Sequence, residues 1–243
     1  MSYALDRLPW TEVRALMERE PRLMLPVGAL EQHGPHLPLG ANLLIADRVT
    51  DAVSHRLGIL RAPAFSYGVI AGGDPRPGSA GLGRKTLHRA VNELLAGWEE
   101  QGFQAFVIVT AHRYEPHLEA LLMALSSEST TTVYDLYQID VDDLVEEDPE
   151  REHAGELETS LLLHLAPDRV RSDAIRDELV TEEVLRRYVR GRMPTSPDRG
   201  SGVTGRPTLA SAEKGARLFD RLTNALAEAL SPAPPGTDGS GGG

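Results

Sequence analysis

The sequence predicts a three-layer α/β domain with a mostly parallel central sheet flanked by helices. Two patterns carry that prediction. Short apolar runs alternate with longer amphipathic stretches at helical spacing, the order expected of βαβ units. One run, Phe106-Val107-Ile108-Val109, is continuously apolar, as a strand covered on both faces must be.

The elements follow in order. Arg22 to Ala29 reads as a buried strand through Leu23, Met24, Leu25 and Val27. Gly58 to Phe65 is a second strand, Phe103 to Thr110 a third, and Thr131 to Tyr137, rich in Thr, Val and Tyr, a fourth. Arg84 to Gln101 sets Leu87, Val91, Leu94, Leu95 and Trp98 at helical spacing, with Gly102 behind it as a C-terminal cap. Asn42 to Leu57, His117 to Leu125, Gly155 to Leu165 and Ser211 to Leu230 also read as helices. Asp140 to Glu152 is acidic and reads as a solvated loop or lid. No internal repeat and no composition shift divides the chain, so residues 1–230 are expected to form one domain. The Pro/Gly/Ser-rich stretch 231–243 is expected to be a disordered tail.

Composition excludes several classes. A formal net charge of -11 argues against a nucleic-acid binder, which would need a basic face. No run approaches the roughly 18 apolar residues of a membrane span, and Met1 to Trp10 lacks the basic start and apolar run of a signal peptide. A soluble cytoplasmic protein is the expectation. There are no cysteines, so any metal must be held by nitrogen and oxygen ligands.

Three segments gather residues that do chemistry. In Gly28 to Pro38, Glu31 and His33 lie two apart, which in extended backbone puts both on one face, where a carboxylate and an imidazole can hold one cation or each hold one of a pair. Gly34-Pro35 then turns the chain and leaves His36 nearby. Taken alone, the segment also fits a polar loop with satisfied histidines. His112 follows the strongest strand, where sheets of this class bind ligands; alone, it fits a helix-capping role as well. In His153 to Ser160, Glu158 shares a helix face with Leu161, Leu162 and Leu165, a carboxylate on a buried stripe, which needs a metal or an arginine beside it. Glu156 falls on the other face and is expected to be exposed.

Together these segments resemble the creatininase (creatinine amidohydrolase) family. Gly28 to Pro38 matches the family's Gly-x-x-Glu-x-His-Gly-x-His-Leu-Pro, His153 to Ser160 its His-Ala-Gly-x-x-Glu-Thr-Ser, and Gly202 to Thr208 with Ala212 to Gly215 its closing segment. The resemblance runs from about Leu25 to Phe219 and is nearest in look to the mycofactocin-system creatininase-like peptidases. It implies a two-metal centre that hydrolyses a C–N bond in an amide, lactam or peptide. The divalent metal would be zinc, with manganese or iron as alternatives, at one or two ions per chain. By position, Glu31, His33 and His112 would be ligands. Glu158 would ligate or back the second metal, and His153 would protonate the leaving nitrogen. His36, Arg113, Tyr114 and Glu115 would face the substrate, and the assembly would be a homo-oligomer, commonly a hexamer.

The chain departs from the pattern in four places. The family's bridging Asp is here Asn42, at best a weak ligand. Thr110-Ala111-His112-Arg113-Tyr114-Glu115 keeps only the His of Asn-Gly-His-Gly-Gly-Asn. Where creatininase proper has a ligand Glu two residues after that His, this chain has Tyr114, with Glu115 one later. Asp74 to Ala80 replaces His-x-x-Phe-x-Gly-Thr. Three readings follow: a metallohydrolase with a one-metal or altered site, a same-fold enzyme of another amide or condensation reaction, and a non-catalytic binding relative.

Overall fold

The computed structural model describes residues 2–72, 74, 76–123, 129–148, 152–179 and 200–231. Four parallel strands form one sheet in the order β2-β1-β3-β4: β1 Arg22–Val27, β2 Leu60–Arg61, β3 Ala105–Thr110 and β4 Thr130–Asp135. The helices are α1 Trp10–Met17, α2 Ala41–Leu57, α3 Arg84–Glu99, α4 Glu115–Leu122, α5 Glu156–Leu165 and α6 Ala212–Leu230.

The period-2 alternation of β1 and β3 divides the core into two layers. Met24, Val107 and Val109 pack with Ile45 and Val49 of α2, Leu161 of α5, and Leu218 and Leu222 of α6. Leu23, Leu25, Val27, Phe106 and Ile108 pack on the other side with Leu16 of α1, Leu87 and Leu95 of α3, and Leu121 of α4. The three-layer α/β architecture is therefore the one expected.

Boundaries differ from the sequence reading for local reasons. The second strand is two residues long rather than eight, because Pro63 has no N–H to give the ladder. The chain still follows β1, through Ala62 N–H to Met24 O at 2.8 Å and Phe65 N–H to Pro26 O at 2.9 Å. Pro26 is tolerated inside β1 because its missing donor would point to that same interrupted side. The fourth strand stops at Asp135, whose carboxylate accepts the Tyr137 N–H at 3.0 Å and folds residues 136–138 into a 3₁₀ turn. Helix α1 was not anticipated. The predicted end of α4 at Leu125 and the tail from 232 onward lie outside the described residues.

Gly28 is required by packing: a Cβ there would come within 2.5 Å of the Leu43 backbone, so only glycine lets β1 run this close to α2.

Candidate metal centre

The motif after β1 leaves the sheet at its carboxyl end, where ligand sites of such sheets form. Gly34 adopts φ 63, which turns the chain between His33 and His36. The His33 ring is held by its own segment: Nδ1–H donates to the Glu31 carbonyl at 2.9 Å. This fixes the tautomer and leaves the Nε2 lone pair facing inward. That nitrogen is buried and has no hydrogen-bond partner among the described residues. Ligand atoms of Glu31, His33 and His153 all lie within 4.8 Å of one another. A buried imidazole lone pair directed at a carboxylate and a second imidazole fits a divalent cation.

Helix α5 supplies the remaining charge. Glu158 Oε1 lies 3.6 Å from His33 Nε2 and accepts the Tyr137 hydroxyl at 2.8 Å, while Oε2 accepts the Ala154 N–H at 2.7 Å. Ala154 presents that N–H from a left-handed φ of 55, a conformation that costs a residue with a Cβ about 1 kcal/mol. Burial works against ionising Glu158, but His33, His153 and the Ala154 N–H outweigh it and hold the carboxyl well below the ordinary range. Burial likewise opposes protonation of His33, yet Glu158 and Glu31 raise it to about 9, so in the absence of an ion the pocket draws in a proton. The His153 imidazole is pushed down by burial and by His33; its Nε2–H donates to Gln32 O at 2.7 Å.

The four residues that the sequence singled out form one chain of neighbours. His112 Nδ1 is 3.4 Å from Glu31 Oε2, Glu31 is grouped with His33 and His153, and His33 adjoins Glu158. The closing segment completes the wall. His153 and Thr204 exchange backbone hydrogen bonds at 2.8 Å each, and Gln32 ties the segment to the first motif by donating to Gly202 O at 3.0 Å.

Several expectations are corrected. His36 is fully buried, and its Nε2 pairs with the Thr159 hydroxyl at 2.9 Å, so it supports α5 from inside the core. Tyr114 is buried among core residues. Arg113 is engaged with Tyr137, donating to its carbonyl at 3.0 Å and lying over its ring. Glu115 is exposed at the start of α4. Asn42 does not turn an oxygen toward the site: Oδ1 accepts the Ala29 N–H at 2.9 Å. Glu156 is fully buried, paired with Lys214, and accepts the Glu146 and Glu147 N–H groups at 2.8 and 2.9 Å. The described part of the stretch, 140–148 and 152, is accordingly no free solvated lid: Val141 and Leu144 enter the core, and Glu152 caps α5 by accepting from Leu157 N–H at 2.9 Å and Glu158 N–H at 3.1 Å. These roles were missed because a carboxylate taken up by backbone donors several residues away leaves no periodic signal. Tyr137 was missed because it was read into a strand.

Fold and site together define a three-layer α/β protein with a cluster of residues able to hold a metal ion at the carboxyl edge of its sheet. The family model described as creatinine amidohydrolase matches residues 6–230. Relatives include the mycofactocin precursor peptide peptidase of Mycolicibacterium smegmatis, 29% identical over 93% of this chain and 91% of the relative. The creatinine amidohydrolase of Pseudomonas putida is 29% identical over 97% and 99%. Among solved structures, a creatinine amidohydrolase (creatininase) superposes with a TM-score of 0.79 at 25% identity, covering 94% of this chain and 96% of that one. A structure designated creatininase Mn superposes with a TM-score of 0.80 at 25% identity, covering 95% and 98%. The chain belongs to the creatininase family, and it is a metal-dependent hydrolase of C–N bonds.

Proposed function

We propose that the chain hydrolyses an amide bond in a peptide or small amide, within a biosynthetic pathway, with one divalent cation held by Glu31, His33 and His153. The observation that carries this reading is the buried Nε2 of His33, without a hydrogen-bond partner among the described residues and close to the other two groups. Zinc suits a set of nitrogen and oxygen donors; manganese and iron suit it too. A cation there would polarise the scissile carbonyl and lower the pKa of a water. Glu158, ionised and 3.6 Å from His33, is the proton carrier: it takes the proton of the attacking water and returns it to the leaving nitrogen. The Tyr137 hydroxyl holds the Glu158 carboxylate in place. This reading gives His153 a ligand role in place of the acid role inferred from the family pattern. The peptide substrate is favoured by the mycofactocin precursor peptide peptidase relatives.

The test is a screen of short peptides, lactams and formamides with Glu158→Gln as the control. That variant is expected to keep its metal and lose roughly 10²–10⁴-fold in kcat. Full activity in Glu158→Gln, or full activity after exhaustive chelation, would remove the proposal.

A cytoplasmic homo-oligomer, a hexamer by family resemblance, belongs to the same reading. Exposed Trp10, Leu122 and Met123 offer apolar surface for it. No helix among the described residues is long and apolar enough to cross a membrane. Light scattering that gives a monomer at micromolar concentration would rule the oligomer out.

A further inference from the structure

The resemblance implies two metals bridged by an Asp at the place of Asn42, and the residues here do not fit that arrangement. Asn42 is buried, and its carboxamide orientation is set by a donor that cannot change: the Ala29 N–H is given to Oδ1 at 2.9 Å. Turning the amide over would set its NH2 against that N–H. The NH2 therefore faces His112 Nδ1, 3.2 Å away. At the other side of the ring, His112 Nε2 is 2.8 Å from the Val69 carbonyl, which can only accept. The proton of the neutral ring thus sits on Nε2, and Nδ1 is the lone pair that meets Asn42. Val69 is held in turn, since its N–H is given to His117 Nδ1 at 3.2 Å. Ala29, Asn42, His112 and Val69 form one run of donors and acceptors in which every polarity agrees. The Glu31 carboxylate is the competing partner of Nδ1, and at 3.4 Å it is the more distant one.

We propose that the position between Glu31 and His112 takes no metal ion in this chain, because the Asn42 amide occupies the His112 lone pair through which an ion would be bound. His112 is then a positioning residue that ties Asn42 to the Val69 loop. The single cation lies on the Glu31–His33–His153 side, a statement that rests on the proposed function; the amide lock does not.

The experiment has two parts. Metal per chain is counted by elemental analysis after dialysis with zinc and then a weak chelator, in the unmodified protein and in Asn42→Asp. One ion in the first and two in the second is expected, because an aspartate can keep the Ala29 bond with one oxygen and offer the other as a charged ligand. The same count in both proteins, if metal binds at all, overturns the inference. Nitrogen-15 NMR of the histidine side chains of the unmodified protein then reads the lock directly, without depending on the variant's folding. His112 is expected as the neutral Nε2–H form, unchanged as zinc is added, while the His33 signals move. A proton on Nδ1 of His112, or movement of its signals with the first equivalent of zinc, overturns the inference. If neither protein binds metal, the proposed function falls, and the His112 tautomer alone decides the lock.

Discussion

At the scale of single residues, the site depends on groups whose protonation the fold dictates. Burial pushes Tyr137 far above its ordinary range, and the neighbouring Glu158 adds to this, so its hydroxyl remains a donor at all working pH. Tyr137→Phe is expected to retain metal and to lose about 10–100-fold in kcat, the usual effect of removing a group that orients a working carboxylate; an unchanged kcat would show that Glu158 needs no such support. His36 gives a pH prediction. Burial and the charge of His33 lower its imidazole to about 4 from 6.5. Between those values the unfolded chain binds the proton that the folded chain refuses, so stability falls as pH drops from about 6.5 to 4, by at most about 3 kcal/mol. His117, pushed well below its ordinary value by burial, acts in the same direction. Melting curves of His36→Gln across this window should show a shallower acid slope than those of the unmodified protein. An identical slope would assign the acid sensitivity elsewhere.

At the scale of elements, α5 is the part on which the site turns. Gly155, the N-cap before it, has no side chain, and the Glu152 carboxylate caps the helix instead. Glu156 pins the preceding acidic loop through two backbone N–H groups and holds Lys214 of α6, whose ammonium also reaches the Leu209 carbonyl at 3.0 Å. Removing one member of a buried pair leaves the other uncompensated. Lys214→Met is therefore expected to destabilise the fold by about 3 kcal/mol in denaturant unfolding, with a matching loss of order in the loop that carries Glu152. A change below about 0.5 kcal/mol, the range of ordinary surface substitutions, would mean that the pair is not a structural joint.

At the scale of the whole molecule, α6 closes the layer that holds α2 and α5 on the sheet. Leu218, Leu222, Leu226 and Leu230 are buried along it, and Arg22 of β1 donates to the Leu230 carbonyl at 2.5 Å. A chain ending at Ser231 should melt at the same temperature and carry the same metal as the full chain. One ending before Leu226 strips Leu226, Ala227 and Leu230 from the core and should lose several kcal/mol, at about 2–3 kcal/mol for each large side chain removed. If the shorter chain melted normally, the domain boundary proposed here at residue 230 would be wrong.

The layer architecture was legible in the sequence, because the apolar periods of strands and helices state which faces are buried, and β1 and β3 alternate as the two layers they separate require. The sequence also singled out Glu31, His33, His112, His153 and Glu158, which sit in motifs tied to strand ends and a helix start and which the fold brings near one another. What each of them does was decided only by tertiary structure. A histidine's free nitrogen is whichever one its partner leaves, and those partners are the Glu31 carbonyl for His33 and the Val69 carbonyl for His112. The partner of Asn42's oxygen is a backbone N–H thirteen residues away. Glu156 looked exposed by helical phase, but α6 packs against that side as well and supplies Lys214. Periodicity records which side of an element meets one neighbour; which donor meets which acceptor across two or three elements is settled only when they pack.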